Sequence, residues 1–465
     1  MKARTRLSPL DASFLEVETP TAHMHVGWVA ILDPPATGSA PTFEELRDHI
    51  AARLPRAPRY LQRLRTVPFG LSAPVWVDDL SFDPSRHLIE ARSGRLEEVV
   101  DACMSEPLSR NRPLWQMHLA TNLDDGQVAV VCKAHHCMVD GIAAVQLGSL
   151  LLDMSPTAPE PEPAEWRPAP GPSEAGLLVG GVGDLLRSQL ELGSLPARIA
   201  TSPRRARQAA GRARRALGAV ADSLKPAPWI RSLNRPISPR RHVAHLVRPL
   251  DELREIKTAL GVKMNDVVLA AAASGLRSFV ASRGERPGPI KAMVPVNVRS
   301  DDPDALGNRI SFMFIELPCQ EPDAVRRLRD IHLASDRCKQ AGTPEGGDDV
   351  LGLVGLTPPP LRRVFSRFVS SPRTFNLVVS NIPGPPEEAY IRGCRLREAY
   401  PVVPLADGHT LSIGFTSIAD RGCFGLYADR EALPDVDHLG NCIDAAIDEL
   451  ARLERPAAER VPAFG

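Results

Sequence analysis

Gln127-Val128-Ala129-Val130-Val131-Cys132-Lys133-Ala134-His135-His136-Cys137-Met138-Val139-Asp140-Gly141 begins as a strand and ends as a turn. Val128, Val130 and Val131 favour the pleated surface of a sheet. The run stops at two adjacent histidines, and Gly141 allows the chain to turn behind them. Over residues 141–153, Ala143, Leu147, Leu150 and Leu151 share one side of a helix. Strand, turn and helix in this order place the paired imidazoles at a sheet rim, where reactive groups are commonly displayed.

The second half of the chain repeats the alternation. Residues 250–260 read as a helix closed by Gly261, a suitable C-terminal cap. A longer helix follows over 266–283, with Val268, Ala272, Gly275, Leu276 and Phe279 on one face. Residues 292–298 and 375–380 read as strands, 411–418 and 423–428 as a hairpin, and 436–453 as a closing helix. Strands and helices mixed in this way indicate an α/β or α+β sandwich, and periodicity alone does not choose between them.

Prolines divide the chain. Ser155-Pro156-Thr157-Ala158-Pro159-Glu160-Pro161-Glu162-Pro163 leads to Pro168, Pro170 and Pro172. Such a run lacks donors and has its φ angles fixed, so it reads as an extended linker. A helical pattern over 177–195 follows. Then come Arg198, Arg204, Arg205, Arg207, Arg212, Arg214 and Arg215, with no acidic residue between Leu192 and Ala221. The expected organisation is therefore a first body over 1–152, a connector over 153–236 and a second body over 237–465. A length of 465 residues suits this, at roughly 100–200 residues per domain.

Composition narrows the function classes. The 43 % hydrophobic and 24 % charged content is that of a globular chain. Lys+Arg 56 against Asp+Glu 56 gives no net charge, which disfavours broad electrostatic capture of nucleic acid. No apolar stretch follows the first residues as a secretory signal would, and no uncharged apolar run reaches the ~18 residues of a membrane span. Cys103, Cys132, Cys137, Cys319, Cys338, Cys394, Cys423 and Cys442 form no Cys-x-x-Cys pair. The expectation is reduced thiols in the cytoplasm and no zinc site.

The paired histidines carry the chemistry. A neutral imidazole, titrating near about pH 6.5, can take a proton from a hydroxyl or thiol. Asp140 is suited to fix the loop or a ring by a charged hydrogen bond. The plain alternative is two surface histidines with Asp140 as an ordinary helix cap. A metal site fits poorly, because adjacent residues at a strand end point apart and no third ligand stands at helical spacing.

His135-His136-x-x-x-Asp140-Gly141 resembles the active-site motif of the chloramphenicol acetyltransferase-like superfamily of CoA-dependent acyltransferases and condensation domains. Further segments narrow the resemblance to the bacterial wax ester synthase/diacylglycerol acyltransferase family. They are Pro9-Leu10-Asp11-Ala12-Ser13-Phe14, Met24-His25-Val26-Gly27, Pro113-Leu114-Trp115, Asn265-Asp266, Pro295-Val296-Asn297-Val298-Arg299, Gly307-Asn308, 376–385 and Ala406-Asp407-Gly408. It runs from about residue 7 to 455 and is weakest across the connector.

The resemblance implies an α/β fold of two chloramphenicol acetyltransferase-like sandwich domains, with a substrate tunnel between them and the double-His motif near its centre. By position, His136 is the general base. It takes the proton of an acceptor hydroxyl as the oxygen attacks an acyl-CoA thioester, and returns it to the CoA sulfur. An alcohol is a poor nucleophile and a thioester has a good leaving group, so a placed base is the main addition to proximity. His135 then packs locally, and Asp140 and Gly141 support the loop, with Arg299 as the candidate partner of Asp140. Asn265 is either a helix N-cap or the residue that orients the acceptor or steadies the oxyanion. Asp266 is structural, and Pro113, Leu114 and Trp115 form a packing element.

An acyl-enzyme on Cys137 is the competing mechanism, disfavoured because neighbours on an extended segment point opposite ways. The arginines of the connector are either a solvated face or an attachment to anionic headgroups. The expected protein is thus a cytoplasmic, peripherally membrane-associated O-acyltransferase that makes triacylglycerol from diacylglycerol, wax ester from long-chain alcohol, or both. Acyl-CoA is a substrate, no cofactor is needed, and a membrane or lipid droplet is the expected surface. The alternatives are a catalytically silent lipid-binding protein and an acyltransferase to an amine or a complex lipid.

Overall fold

The computed structural model describes residues 6–35, 39–138, 148, 150–158, 164–200, 211, 225–297, 310–340 and 359–457. In the first half these form α1 (Pro9–Val17), β1 (His25–Asp33), α2 (Phe43–Arg53), β2 (Gln62–Arg65), β3 (Val75–Asp78), β4 (Leu88–Glu90), α3 (Leu96–Ser105), β5 (Trp115–Ala120) and β6 (Val128–His135). α4 (Glu174–Ala200) lies in the connector. The second half contributes β7 (Arg241–Pro249), α5 (Leu250–Ala259), α6 (Met264–Ser282), β8 (Ile290–Asn297), β9 (Ile310–Leu317), α7 (Ala324–Gln340), α8 (Pro359–Val369), β10 (Leu377–Ile382), β11 (Tyr390–Ile391), β12 (Cys394–Val402), β13 (Leu411–Ile418), β14 (Arg421–Asp429) and α9 (Val436–Ala457).

Local chemistry explains the starts and stops. α1 opens where the Ser8 hydroxyl accepts the Asp11 N–H, with Pro9 in the first turn. Thr42 and Glu45 form a capping box at the start of α2. Gly261 follows α5 with φ +65°, in the left-handed region that glycine enters without strain. β6 is buried along its whole length, which is why its apolar residues do not alternate with polar ones.

Two six-stranded sheets result, ordered β11-β12-β1-β6-β5-β4 and β7-β14-β13-β10-β8-β9. The first is not made by the first half alone. β12 runs antiparallel to β1, pairing Tyr400 with Val29 and Val402 with Gly27, so the chain returns across the expected division at residue 237. The sheets meet where Pro401 of β12 lies over Gly414 and Gly425, and a Cβ at either glycine would collide with Pro401.

Each sheet has its own core. One gathers Leu46, Ile50, Trp115, Met117 and the β1 and β6 side chains. The other surrounds α6, which is buried nearly all round from Asp266 to Leu276. α5 and α6 would pass together for a membrane span by length and composition, but a 101° bend separates them. No single helix among the described residues is long and apolar enough to cross a membrane. Most of the helix expected over 141–153, and all of 203–217 except Gly211, lie outside the described residues.

Candidate active site

β6 delivers the two histidines, and backbone hydrogen bonds fix where they leave it. The His135 N–H donates to Leu114 O at 2.9 Å, the His136 N–H to Met24 O at 2.9 Å, and the Met138 N–H to His135 O at 2.9 Å, closing the turn. Pro113-Leu114-Trp115 thereby anchors the turn through its backbone. Trp115 is fully buried, donates Nε1–H to Tyr60 O at 2.7 Å and stacks on His87. Met24, on the other side, has φ +50°, a strained value for a residue with a side chain.

The two imidazoles face different surroundings. His135 is buried, and its Nδ1 accepts the Cys137 N–H at 3.1 Å. The proton of the neutral ring therefore sits on Nε2, which lies 3.8 Å from Glu18 Oε2. Glu18 is itself paired with Arg110. Burial, reinforced by Arg110 and then His136, holds the His135 pKa well below 6.5. His135 is thus held neutral.

His136 is half-buried, and its ring lies flat on Phe14, with centroids 3.7 Å apart and planes 9° from parallel. Its Nδ1 is turned into the protein. α1 therefore touches both histidines, through Phe14 and through Glu18 at its C-terminal end. The second half holds α1 in turn, since Arg362 of α8 reaches Glu16 with Nε at 2.8 Å and Nη2 at 2.7 Å.

Behind the turn, His25 of β1 stands opposite His135 in the strand register. Lys133, two residues earlier on β6, is fully buried and donates to Glu106 O at 2.8 Å and to Cys103 O. It thereby satisfies carbonyls at the end of α3. Burial, with Lys133 next, pushes the His25 pKa well down. Cys137 is packed into the first core, and burial pushes its thiol pKa up. A raised pKa disfavours the thiolate which nucleophilic catalysis needs.

The predicted second-half residues sit on α6. Asn265 is the second residue of that helix, not its cap: the N-cap position belongs to Lys263. The Lys263 N–H is accepted by Asp266 Oδ2 at 3.0 Å, because a carboxylate at the third helical position can reach back to the first free amide. The same oxygen lies 2.7 Å from His332 Nδ1. These contacts are made within the second half. Asp140, Gly141 and Arg299 lie outside the described residues, and no group of three metal-ligating side chains occurs among those described. Cavities among the described residues include a groove of about 440 Å³ beside Arg277 and Arg327 and a polar pocket of about 260 Å³ beside His87.

Sequence reasoning assigned no role to Phe14, Glu18, Met24 or Arg110. Phe14 and Met24 stand in segments that carried the resemblance, but more than a hundred residues separate them from His136. No periodicity links residues so far apart.

Comparison with known proteins agrees along the chain. Residues 7–268 match the family model of the wax ester synthase/diacylglycerol acyltransferase catalytic domain, and 306–451 match the WS/DGAT C-terminal domain. A Mycobacterium tuberculosis (strain H37Rv) protein bearing the name probable diacylglycerol O-acyltransferase tgs1 is 31 % identical over 97 % of this chain and 96 % of its own. The solved wax ester synthase/diacylglycerol acyltransferase of Marinobacter aquaeolei VT8 superposes with a TM-score of 0.69 at 27 % identity, covering 97 % of this chain and 100 % of that one. The first condensation domain of the calcium-dependent antibiotic synthetase, at 16 % identity and TM-score 0.60 over 98 % and 97 % of the two chains, shares the fold. Double-His turn, two-sheet architecture and full-length similarity converge: the chain belongs to the wax ester synthase/diacylglycerol acyltransferase family.

Proposed function

We propose that the protein is an acyl-CoA-dependent O-acyltransferase that esterifies diacylglycerol, a long-chain alcohol, or both, with His136 as the general base. The observation that carries this is the placement of the His136 ring. It is anchored through its amide to Met24 O, stacked flat on Phe14 and buried at Nδ1. Nε2 takes the hydroxyl proton as the oxygen attacks the thioester carbonyl, and the same proton goes to sulfur as CoA leaves. Asn265 orients the acceptor or donates to the oxyanion, and Asp140, supported by Arg299, holds the loop. Access to a poorly soluble acceptor favours peripheral attachment to a membrane or lipid droplet, with the arginines of the connector drawn to anionic headgroups.

The test is thiol release from palmitoyl-CoA with dioleoylglycerol or hexadecanol, against palmitoyl-CoA alone, with products separated by thin-layer chromatography. The parent should release thiol only with acceptor and form the matching ester. His136→Ala should lose ~10²–10⁴ in rate while still binding acyl-CoA. No acceptor-dependent release from the parent would leave a silent lipid-binding protein. Turnover near the parent's in folded His136→Ala would remove the base mechanism.

A further inference from the structure

α1 is held between the double-His turn and the second half of the chain. At about 100° per residue, Phe14 and Glu18 fall within about 40° of each other, whereas Glu16 points to the other side. The first side meets the histidines. The Phe14 ring lies on His136, and Glu18, the C-cap residue, pairs with Arg110 and stands 3.8 Å from His135 Nε2. Glu16 turns to α8. Arg362 Nε and Nη2 converge on its Oε1 at 2.8 and 2.7 Å, and Ser366 Oγ lies 3.4 Å from Oε2. Arg362 and Ser366 are four residues apart and so share one face of α8. Both oxygens of a single carboxylate are thus held from the second half.

The chain after α1 is gripped a second time. Arg241 of β7, fully buried, donates from Nη2 to Thr21 O and from Nη1 to Asp429 Oδ2 at 3.3 Å. Beyond Thr21, Met24 O accepts the His136 N–H. Residues 14–24 therefore give His136 both a ring contact and a backbone anchor, and two second-half arginines hold that segment. The Arg362–Glu16 pair is shielded from water, at 10 and 13 % side-chain exposure. A buried charge pair adds little net stability over apolar residues of the same volume. Its charge-assisted hydrogen bonds are directional, however, and fix where the two partners stand.

We propose that Arg362 is a positioning residue for His136. Through Glu16 it sets where α1 carries Phe14, and through Phe14 the plane in which the imidazole stands. A base supplied by the first half is thereby aimed by the second. The inference rests on the reading of His136 as general base, and it extends that reading from the turn to a side chain in the other half of the chain. Arg362 itself touches no reactant in this account; it acts only through α1.

The test reads the ring and the rate separately. The face of Phe14 shields the ring protons of His136, so NMR of the full chain with isotope-labelled histidine, assigned with His136→Ala, reports the stack without turnover. In Arg362→Met the His136 resonance should move away from its stacked position. In Arg362→Lys, which keeps the charge but not the planar fork, it should move less. Should Arg362→Met fail to fold, Arg362→Lys carries both readouts. Thiol release well below the melting temperature should show kcat lowered about 3–10-fold in Arg362→Met, the range of a lost aromatic stack, with KM for acyl-CoA little changed. In a Phe14→Ala background the same substitution should cost little more, because both changes remove one contact. An unmoved His136 resonance in a folded Arg362 variant overturns the proposal. So do losses in kcat that add in full to that of Phe14→Ala. A moved resonance with unchanged kcat upholds the positioning and removes His136 as the base.

Discussion

The ring of Phe14 lies flat on His136, and the base proposed there performs only when its lone pair is aimed. A stacked aromatic pair is worth ~0.5–1.5 kcal/mol, so Phe14→Ala should cost roughly 3–10-fold in kcat with little change in KM for acyl-CoA. Phe14→Tyr should restore the rate, because it restores the face of the ring. An unchanged kcat in Phe14→Ala would show that the imidazole is held by its backbone anchors alone. Cys137 gives the complementary prediction. Its thiol is buried and its pKa raised, so Cys137→Ala should retain most activity, and mass spectrometry after acyl-CoA alone should find no adduct. A thioester on Cys137 that disappears when acceptor is added would contradict direct transfer.

Between elements, the most consequential tie behind the site is Lys133, a buried cation of β6 that closes the end of α3. Lys133→Met leaves the Cys103 and Glu106 carbonyls without that donor. It should destabilise the fold by ~1–3 kcal/mol in urea titrations, the cost of buried polar groups losing their partner. It should also raise the His25 pKa, since the Lys133 charge is one of the forces holding it down; NMR titration of the ring reads this directly. A variant as stable as the parent would show that water replaces the lysine. Elements were also what the sequence expressed best. β6, α5, α6, the β13–β14 hairpin and α9 follow from local spacing, and the double-His turn follows from residues that touch in sequence. What spacing could not express is long-range: the flat contact of Phe14 with His136, the Glu16–Arg362 pair and the return of β12 to the first sheet. The N-cap of α6 was misplaced for a local reason. Lys263 has no capping side chain of the usual kind, and the cap is supplied backward by Asp266.

For the whole molecule, buried histidines set an acid limit. His25 and His135 are held well below 6.5, and burial brings His409 down to about 4. The unfolded chain takes up protons at these rings below about pH 6.5, while in the folded chain His409 does so only near pH 4 and the other two stay neutral well below 6.5. Their contribution is therefore complete above about pH 6.5 and lost as the pH falls through each folded value, which for His409 is about 4 and amounts to on the order of 3 kcal/mol. His242 has the opposite sign. Hydrogen bonding to Asp101 of α3, and then to Asp437 of α9, raises it to about 9. Its contribution is complete below about pH 6.5 and lost as the pH rises through 9. Thermal melts from pH 4 to 10 should peak near neutrality, and His242→Asn should flatten the alkaline limb without altering the acid one. A melting temperature level from pH 7 to 4 would contradict the first statement.

The return of β12 to β1 also governs how the protein is born. On the ribosome β6 is complete at His135, yet Cys394 lies about 260 residues later, roughly ten to fifty seconds at ~5–20 residues per second. Throughout that interval β1, with its apolar Val29-Ala30-Ile31-Leu32, presents an open edge of unpaired amides and carbonyls to any other nascent chain. Messages broken or stalled before the codon of Val402 should therefore yield chains that stay bound to chaperones or precipitate, because β1 gains its second neighbour only from a strand made long after the first.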